Sequence, residues 1–172
     1  KSMRYVLENS GTAFTSLQEE LSHIEIYMKI QKLRFGEKFD YAFVIGEGID
    51  VSKCITLPLL RQPVVEKAIL HGLEERETGG MVTIRIVRAA ERREICIEVS
   101  DNGCGMKPET LERLRADITT KNPEKKGSIG LYNINQRVKL CYGNMYGMTI
   151  DSERDRGTTI TLHLPEKVYH DI

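Results

Sequence analysis

Period-two alternation of apolar residues is the feature that most limits how this chain folds. Val82, Ile84 and Ile86 alternate with polar positions, as do Ile95, Ile97 and Val99, and each run reads as a strand with one buried face. The charged stretch from Ala89 to Arg93 lies between them as a hairpin loop, so the two runs are expected to pair. Met148 to Ile150 and Thr158 to Leu164 predict a second hairpin, and Tyr41, Phe43 and Ile45 a short strand ahead of both.

Elsewhere the period is helical. Ser16 and Glu19 make a capping-box pattern before Leu17, Leu21, Ile24, Met28, Gln31 and Phe35, a seam stepping by four and three. Ile26, Ile30 and Leu33 add a second stripe, which predicts packing against the domain on one side and another helix on the other. Leu57 to Leu70 reads as a helix opened by Pro58, with Pro63 inside its first turns, and Leu131, Ile134, Val138 and Cys141 mark a later helix face. Between these, Gly103 to Gly127 is polar, lysine-rich and broken by prolines, and reads as a mobile loop with one short helix around Leu111 and Leu114. This order of elements predicts an α+β fold with a mostly antiparallel sheet and helices gathered on one face. The other face needs cover, expected from the first helix or a partner.

Composition narrows the functions. A length of 172 residues suits one core, and Lys plus Arg balance Asp plus Glu at 25 each, so no global field holds the chain to nucleic acid or an anionic membrane. Any anion must be bound locally. Cys54, Cys96, Cys104 and Cys141 show neither CxxC pairing nor metal-type spacing, which predicts reduced thiols in a cytosolic compartment and no metal centre. No stretch approaches the roughly 20 apolar residues that span a bilayer.

Three segments carry chemistry. Asp101-Asn102-Gly103-Cys104-Gly105 follows the strand ending at Val99; a carboxylate at a strand end accepts from an exocyclic amine, while Gly103 and Gly105 leave room for a ring. The same residues also suit an ordinary tight turn. Gly127-Ser128-Ile129-Gly130 opens the helix carrying Leu131, and free amides at such a start suit phosphates; the plain alternative is Ser128 as a helix cap. The third segment runs from Gln62 through Glu66, Lys67 and Leu70 to His71-Gly72. Neither a Walker A sequence nor a GxGxxG is present, which disfavours the commonest nucleotide folds.

In order and spacing these pieces resemble the ATPase domain shared by histidine kinases, type II topoisomerases, the Hsp90 chaperones and the mismatch-repair MutL proteins. Asp101, Gly103 and Gly105 match its adenine box, Gly127, Gly130 and Leu131 its second glycine box, and Gly157 with Thr158 its last. More narrowly, Leu17-Gln18-Glu19-Glu20-Leu21, Tyr27 to Gln31, Leu33-Arg34-Phe35-Gly36, Gln62-Pro63, Glu66, His71-Gly72 and Gly130 through Arg137 resemble the LytS/YesM type of sensor kinase. The resemblance implies a two-layer α/β sandwich of the Bergerat type whose loop between the glycine boxes closes over ATP. It implies ATP with Mg2+ as cofactors, and nucleotide contacts from Lys67, His71, Asp101, Gly103, Gly105, Met106, Gly127, Ser128, Gly130, Leu131 and Thr158. By the same analogy Glu66 orients or deprotonates the attacking imidazole. The implied organisation is the end of a dimerisation region over 1–15, a catalytic ATP-binding domain over 16–168 and a tail over 169–172. The implied partners are the chain's own dimerisation domain in a homodimeric kinase and the receiver domain of a response regulator, with no nucleic acid, on the cytoplasmic side of a bacterial plasma membrane.

Two departures from the family pattern stand out. The phosphoacceptor of such kinases lies in an Asn-Pro-His-Phe-type motif, and none of His23, His71, His163 or His170 has that context. The family also carries Asn, a magnesium ligand, where this chain has Lys67, and Lys where it has Leu70. A cation at position 67 predicts nucleotide binding that depends less on magnesium; the alternative is a degenerate nucleotide-binding or scaffold domain with weak kinase activity.

Overall fold

The computed structural model describes residues 14–58, 63–89, 91–120 and 128–168. Two short strands, β1 (Thr15–Ser16) and β3 (Ile55–Thr56), pair with each other, and five longer stretches form the main sheet. Its strands are β2 (Phe39–Ile45), β4 (Gly80–Arg88), β5 (Glu94–Asp101), β6 (Gly147–Glu153) and β7 (Gly157–Pro165), in the order β2-β4-β5-β7-β6. Only β2 and β4 run parallel; the other neighbours are antiparallel. Both expected hairpins form, with Ile84 opposite Val99 and Ile150 opposite Ile160. Pairing of β5 with β7 then sets Ile97 opposite Leu162 and joins the hairpins. Because side chains alternate along a strand, this register places Ile84, Ile86, Ile97, Val99, Ile160 and Leu162 on one face, all buried.

Four helices cover that face: α1 (Leu17–Phe35), α2 (Pro63–Lys67, continuing as a wider π-type turn over Ala68–Gly72), α3 (Pro108–Asp117) and α4 (Ile129–Tyr142). Leu17, Leu21, Ile24 and Met28 of α1, Val64 and Val65 of α2, Leu111 and Leu114 of α3, and Leu131, Ile134 and Val138 of α4 join the sheet in one core. The result is the expected α+β sandwich. The start of α1 is fixed by the capping box, with Ser16 Oγ accepting the Glu19 amide at 3.1 Å, and by the Leu17 amide donating to the Cys54 carbonyl at 2.8 Å.

Three expectations change. The far face of the sheet carries Thr83, Arg85, Glu98, Thr149, Thr159 and Thr161, which are exposed or half-buried, and is closed only at one end, where Glu94 and Cys96 are buried; most of that face meets water, so it requires no covering layer, and α1 joins the other helices in one layer. The second stripe of α1 stays open, with Ile26 57%, Ile30 56% and Leu33 87% exposed, so no helix packs on it among the described residues. The helix expected over Leu57 to Leu70 is seen only from Pro63 onwards: Leu57 and Pro58 are not helical, so Pro58 does not open it as expected, and 59–62 lie outside the described residues. Among the described residues no helix is long and apolar enough to cross a membrane.

Candidate functional site

Asp101 is the last residue of β5 and falls on the same face as Ile97 and Val99. There the apolar row ends: Thr158 pairs with Asp101, and Ser152 pairs with Thr158. Three adjacent strand ends therefore place a carboxylate and two hydroxyls beneath the helix layer. Above them lies a cavity of about 200 Å³ lined by Lys67, Ala68, Gly72, Val99, Asp101, Gly105, Met106, Thr110, Thr158 and Ile160. Its wall is mostly apolar, with Asp101 and Thr158 side by side in it, a composition that suits a small-molecule site.

Main-chain contact builds this corner. A Cβ on Gly103 would stand 1.5 Å from the Gly72 carbonyl oxygen, and one on Gly157, whose φ is +115°, would stand 1.9 Å from the carbonyl oxygen of Asp101. The Cys104 amide donates to the Gly72 carbonyl at 3.1 Å and the Asp155 amide to the Cys104 carbonyl at 2.7 Å. Ser152 Oγ accepts the Met106 amide at 2.9 Å and donates to the Gly157 carbonyl at 3.0 Å. Asn102 pins the start of β4, its Oδ1 accepting the Met81 amide at 2.8 Å and its Nδ2 donating to the Gly79 carbonyl at 3.0 Å. Gly103 thus makes room for another backbone segment and not for a ring, which revises the role read from sequence.

Burial pushes the Asp101 carboxyl above its ordinary value, against the opposing pull of the Gly103 and Thr158 amides and, more distantly, Arg76. The Gly103 amide donates to Asp101 Oδ1 at 2.9 Å. A partly desolvated carboxylate at the polar end of an apolar cavity seeks a donor, which an exocyclic amine supplies.

The remaining sequence candidates divide. Lys67, Asp101, Gly105, Met106 and Thr158 line the cavity. His71 lies in the π-type turn beside it. Glu66 is half-buried and is near enough to Tyr27 to help burial raise that phenol; it is not among the residues lining the cavity. Leu70 lines a second cleft with Arg34, Phe35 and Leu73, because the wider turn changes which way this stretch faces. Gly127 lies outside the described residues, as do 121–126 of the expected loop. The first half of that loop is no loose segment: α3 buries Leu111, Leu114 and Ile118, and Arg115 Nε donates to the Ile150 carbonyl at 2.9 Å. Ser128 makes no side-chain cap to α4 and instead donates to Asp117 Oδ2 at 3.2 Å. Gly130 abuts Pro63, and Leu131 is a core residue. Sequence reading missed Ser152, an isolated serine whose partners come from two other segments, Met106 and the start of β7.

An α+β sandwich with a mostly apolar cavity and a half-buried carboxylate at one end of its sheet is the framework of a small-molecule-binding domain, and the family match says which kind. Residues 58–168, more than half of the chain, match the family described as histidine kinase-, DNA gyrase B-, and HSP90-like ATPase, and residues 1–39 match a histidine kinase model. The chain belongs to that ATPase family, and its sequence is similar to sensor histidine kinases of the LytS/YesM type. It is 32% identical over 168 residues to the sensor histidine kinase YesM of Bacillus subtilis, covering 96% of this chain and 27% of that protein. It is 34% identical over 152 residues to the sensor protein LytS of Streptococcus mutans, covering 87% of this chain and 24% of that protein. The chain thus spans about a quarter of the length of these relatives. Among solved structures, the catalytic domain of the histidine kinase ThkA superposes with a TM-score of 0.66 at 13% identity, covering 91% of this chain and 98% of that one. The same kinase has been solved with its response regulator protein TrrA.

Proposed function

We propose that this domain binds ATP with the adenine amine on Asp101 and, within the whole kinase, transfers the γ-phosphoryl to a histidine on an upstream dimerisation domain for relay to a response regulator. The observation that carries the reading is Asp101, whose carboxyl is raised by burial at the polar end of the apolar cavity. At about 200 Å³ the cavity is smaller than the roughly 300–1,000 Å³ of small-molecule sites, so its described walls suit the base rather than the whole nucleotide. Glu66 acts from outside the cavity, where an acceptor helix approaches, and positioning supplies most of such catalysis.

Magnesium fits these residues poorly. Asp101 is the only carboxylate among the described cavity-lining residues, and it accepts backbone amides at the base end. Lys67 presents a cation where an oxygen ligand is needed. Lys67 itself neutralises phosphate charge, and this supports reduced metal dependence. The same lysine is the observation favouring the second reading, a degenerate domain that binds nucleotide weakly and signals by association.

Calorimetric titration of the chain with ATP, ADP and GTP, each with magnesium and with chelator, tests both readings. Adenine nucleotides are expected to bind at least about tenfold tighter than GTP, since an unpaired buried group costs about 1–3 kcal/mol. Asp101→Asn is expected to erase the preference, and Lys67→Ala to weaken ATP binding in chelator. Equal affinity for adenine and guanine would remove Asp101 from the site. ATP binding only with magnesium, unchanged in Lys67→Asn, would take Lys67 away from the phosphates.

A further inference from the structure

On the sheet face opposite the nucleotide cavity, three metal-ligating side chains converge. Glu94 and Cys96 are alternate residues of β5, and His163 of β7 lies directly across from Cys96 in the register. Their ligand atoms all lie within 4.8 Å of one another: His163 Nδ1 is 2.9 Å from Glu94 Oε1 and 3.5 Å from Cys96 Sγ, and Sγ is 3.8 Å from Oε1. Atoms held about 2.0–2.3 Å from one tetrahedral centre stand about 3.3–3.6 Å apart, so small side-chain movements bring all three onto one ion. The other ring nitrogen is already engaged, with His163 Nε2 2.9 Å from Thr149 Oγ1 on β6. The Thr149 hydroxyl can accept from Nε2–H once an ion takes the place of the Nδ1 proton now facing Glu94, an outer-shell contact of the kind that orients metal-bound histidine.

We infer that Glu94, Cys96 and His163 form a binding site for a divalent ion of the zinc class. One nitrogen, one sulfur and one oxygen suit zinc or cobalt and do not suit magnesium or calcium, which take oxygen. Glu94 and Cys96 are buried while the His163 side chain is 29% exposed, so the ligands are recessed with one side open for a fourth, water ligand. The ligands come from paired, interior strands of the sheet, which hold them without a loop to order. No CxxC spacing announces the site, because strand register and not sequence separation brings the ligands together. Glu94 and Asp101 are the two ends of β5, roughly 23 Å apart at about 3.3 Å per residue, so the ion lies far from the nucleotide. It clips β5 to β7 and stabilises the fold by mass action.

The probes are cobalt and zinc ions alone, added to the full chain without nucleotide. Cobalt is expected to bind one to one and give thiolate-to-metal charge-transfer absorption in the near ultraviolet, with zinc displacing it and raising the melting temperature. Cys96→Ser and His163→Gln are expected to abolish the band, while Cys141→Ser keeps it. Thr149→Val, which removes only the outer-shell contact, is expected to weaken zinc binding about 10- to 100-fold. A cobalt spectrum of the unmodified chain with no thiolate band at saturation overturns the site, and so does a band that survives in either ligand variant.

Discussion

Around Asp101 to Gly105 the glycines are pressed against main chain from other elements, whereas Gly130, the described glycine of the second box, meets only the side chain of Pro63. In sequence the two boxes look alike. In the fold the first is a junction at which β5, β7 and the turn after α2 touch backbone to backbone, and the second is a helix start lying against a neighbouring helix. A main-chain contact has no freedom to relax, because moving one partner moves a whole strand; a side-chain contact yields locally. The first box is therefore rigid before any nucleotide arrives, and it holds Asp101 in place.

That contrast is broken or upheld most directly by adding one methyl group at each place. Gly103→Ala puts a Cβ 1.5 Å from the Gly72 carbonyl oxygen, which only a backbone shift relieves. The expected loss of stability is about 4–5 kcal/mol or more, in the range of severe core disruptions, read by urea denaturation. Gly157→Ala should behave alike, since it combines a 1.9 Å approach to Asp101 with a φ of +115°. Losses below about 1 kcal/mol at both positions would mean that the junction is soft.

The sheet was legible in the sequence because its signal is local. Strands β4 to β7 each bury an alternate apolar set of residues, with Glu94 and Cys96 of β5 buried on the other face besides, and the apolar set is written in the order of the residues themselves. Asp101 and Thr158 were legible for a related reason, lying where apolar alternation stops. What the sequence hid depends on distant partners. Nothing near Asn135 reveals that its side chain is buried, donating to the Ile118 carbonyl and accepting the Met148 amide, both at 2.9 Å. The expectation of a covered second face failed because it followed from helices lying on one face alone, without the register that lets water take most of the other face. The facing of Leu70 was hidden by the π-type turn, which adds a residue to the helical repeat and turns the following side chains.

A middle-sized effect separates Asp101 from the glycines that hold it. In the unfolded chain an aspartate titrates near pH 3.9, and burial raises Asp101 in the fold. Between the two values the folded state holds the proton that the unfolded state has lost, so stability falls as pH rises through that window and stays lower above it. Asp101→Asn removes this loss. Without nucleotide, the variant should gain on the parent as pH climbs from about 4 towards neutrality, measured as the difference between two melting curves at each pH. A difference running the other way would show that the Gly103 and Thr158 amides outweigh burial and hold the carboxyl below its usual range.

The smallest effect is expected at Gly130, and its smallness is what makes it informative. A Cβ there would stand 2.8 Å from Pro63 Cβ and 3.0 Å from its Cγ, with no positive φ to oppose it. Overpacking of this kind costs about 1–3 kcal/mol, while alanine in place of glycine inside a helix recovers up to about 1 kcal/mol. The net loss should therefore lie between about 0 and 3 kcal/mol, below that of Gly103→Ala. Pro63 opens α2, the helix that also carries Lys67, so relieving the contact displaces the cavity wall slightly. Nucleotide affinity should then fall more than stability does, which parallel titration and denaturation of the same variant would measure. If Gly130→Ala destabilises the domain as much as Gly103→Ala, the second box is as firmly built as the first, and the difference between them lies in their ligands and not in their packing.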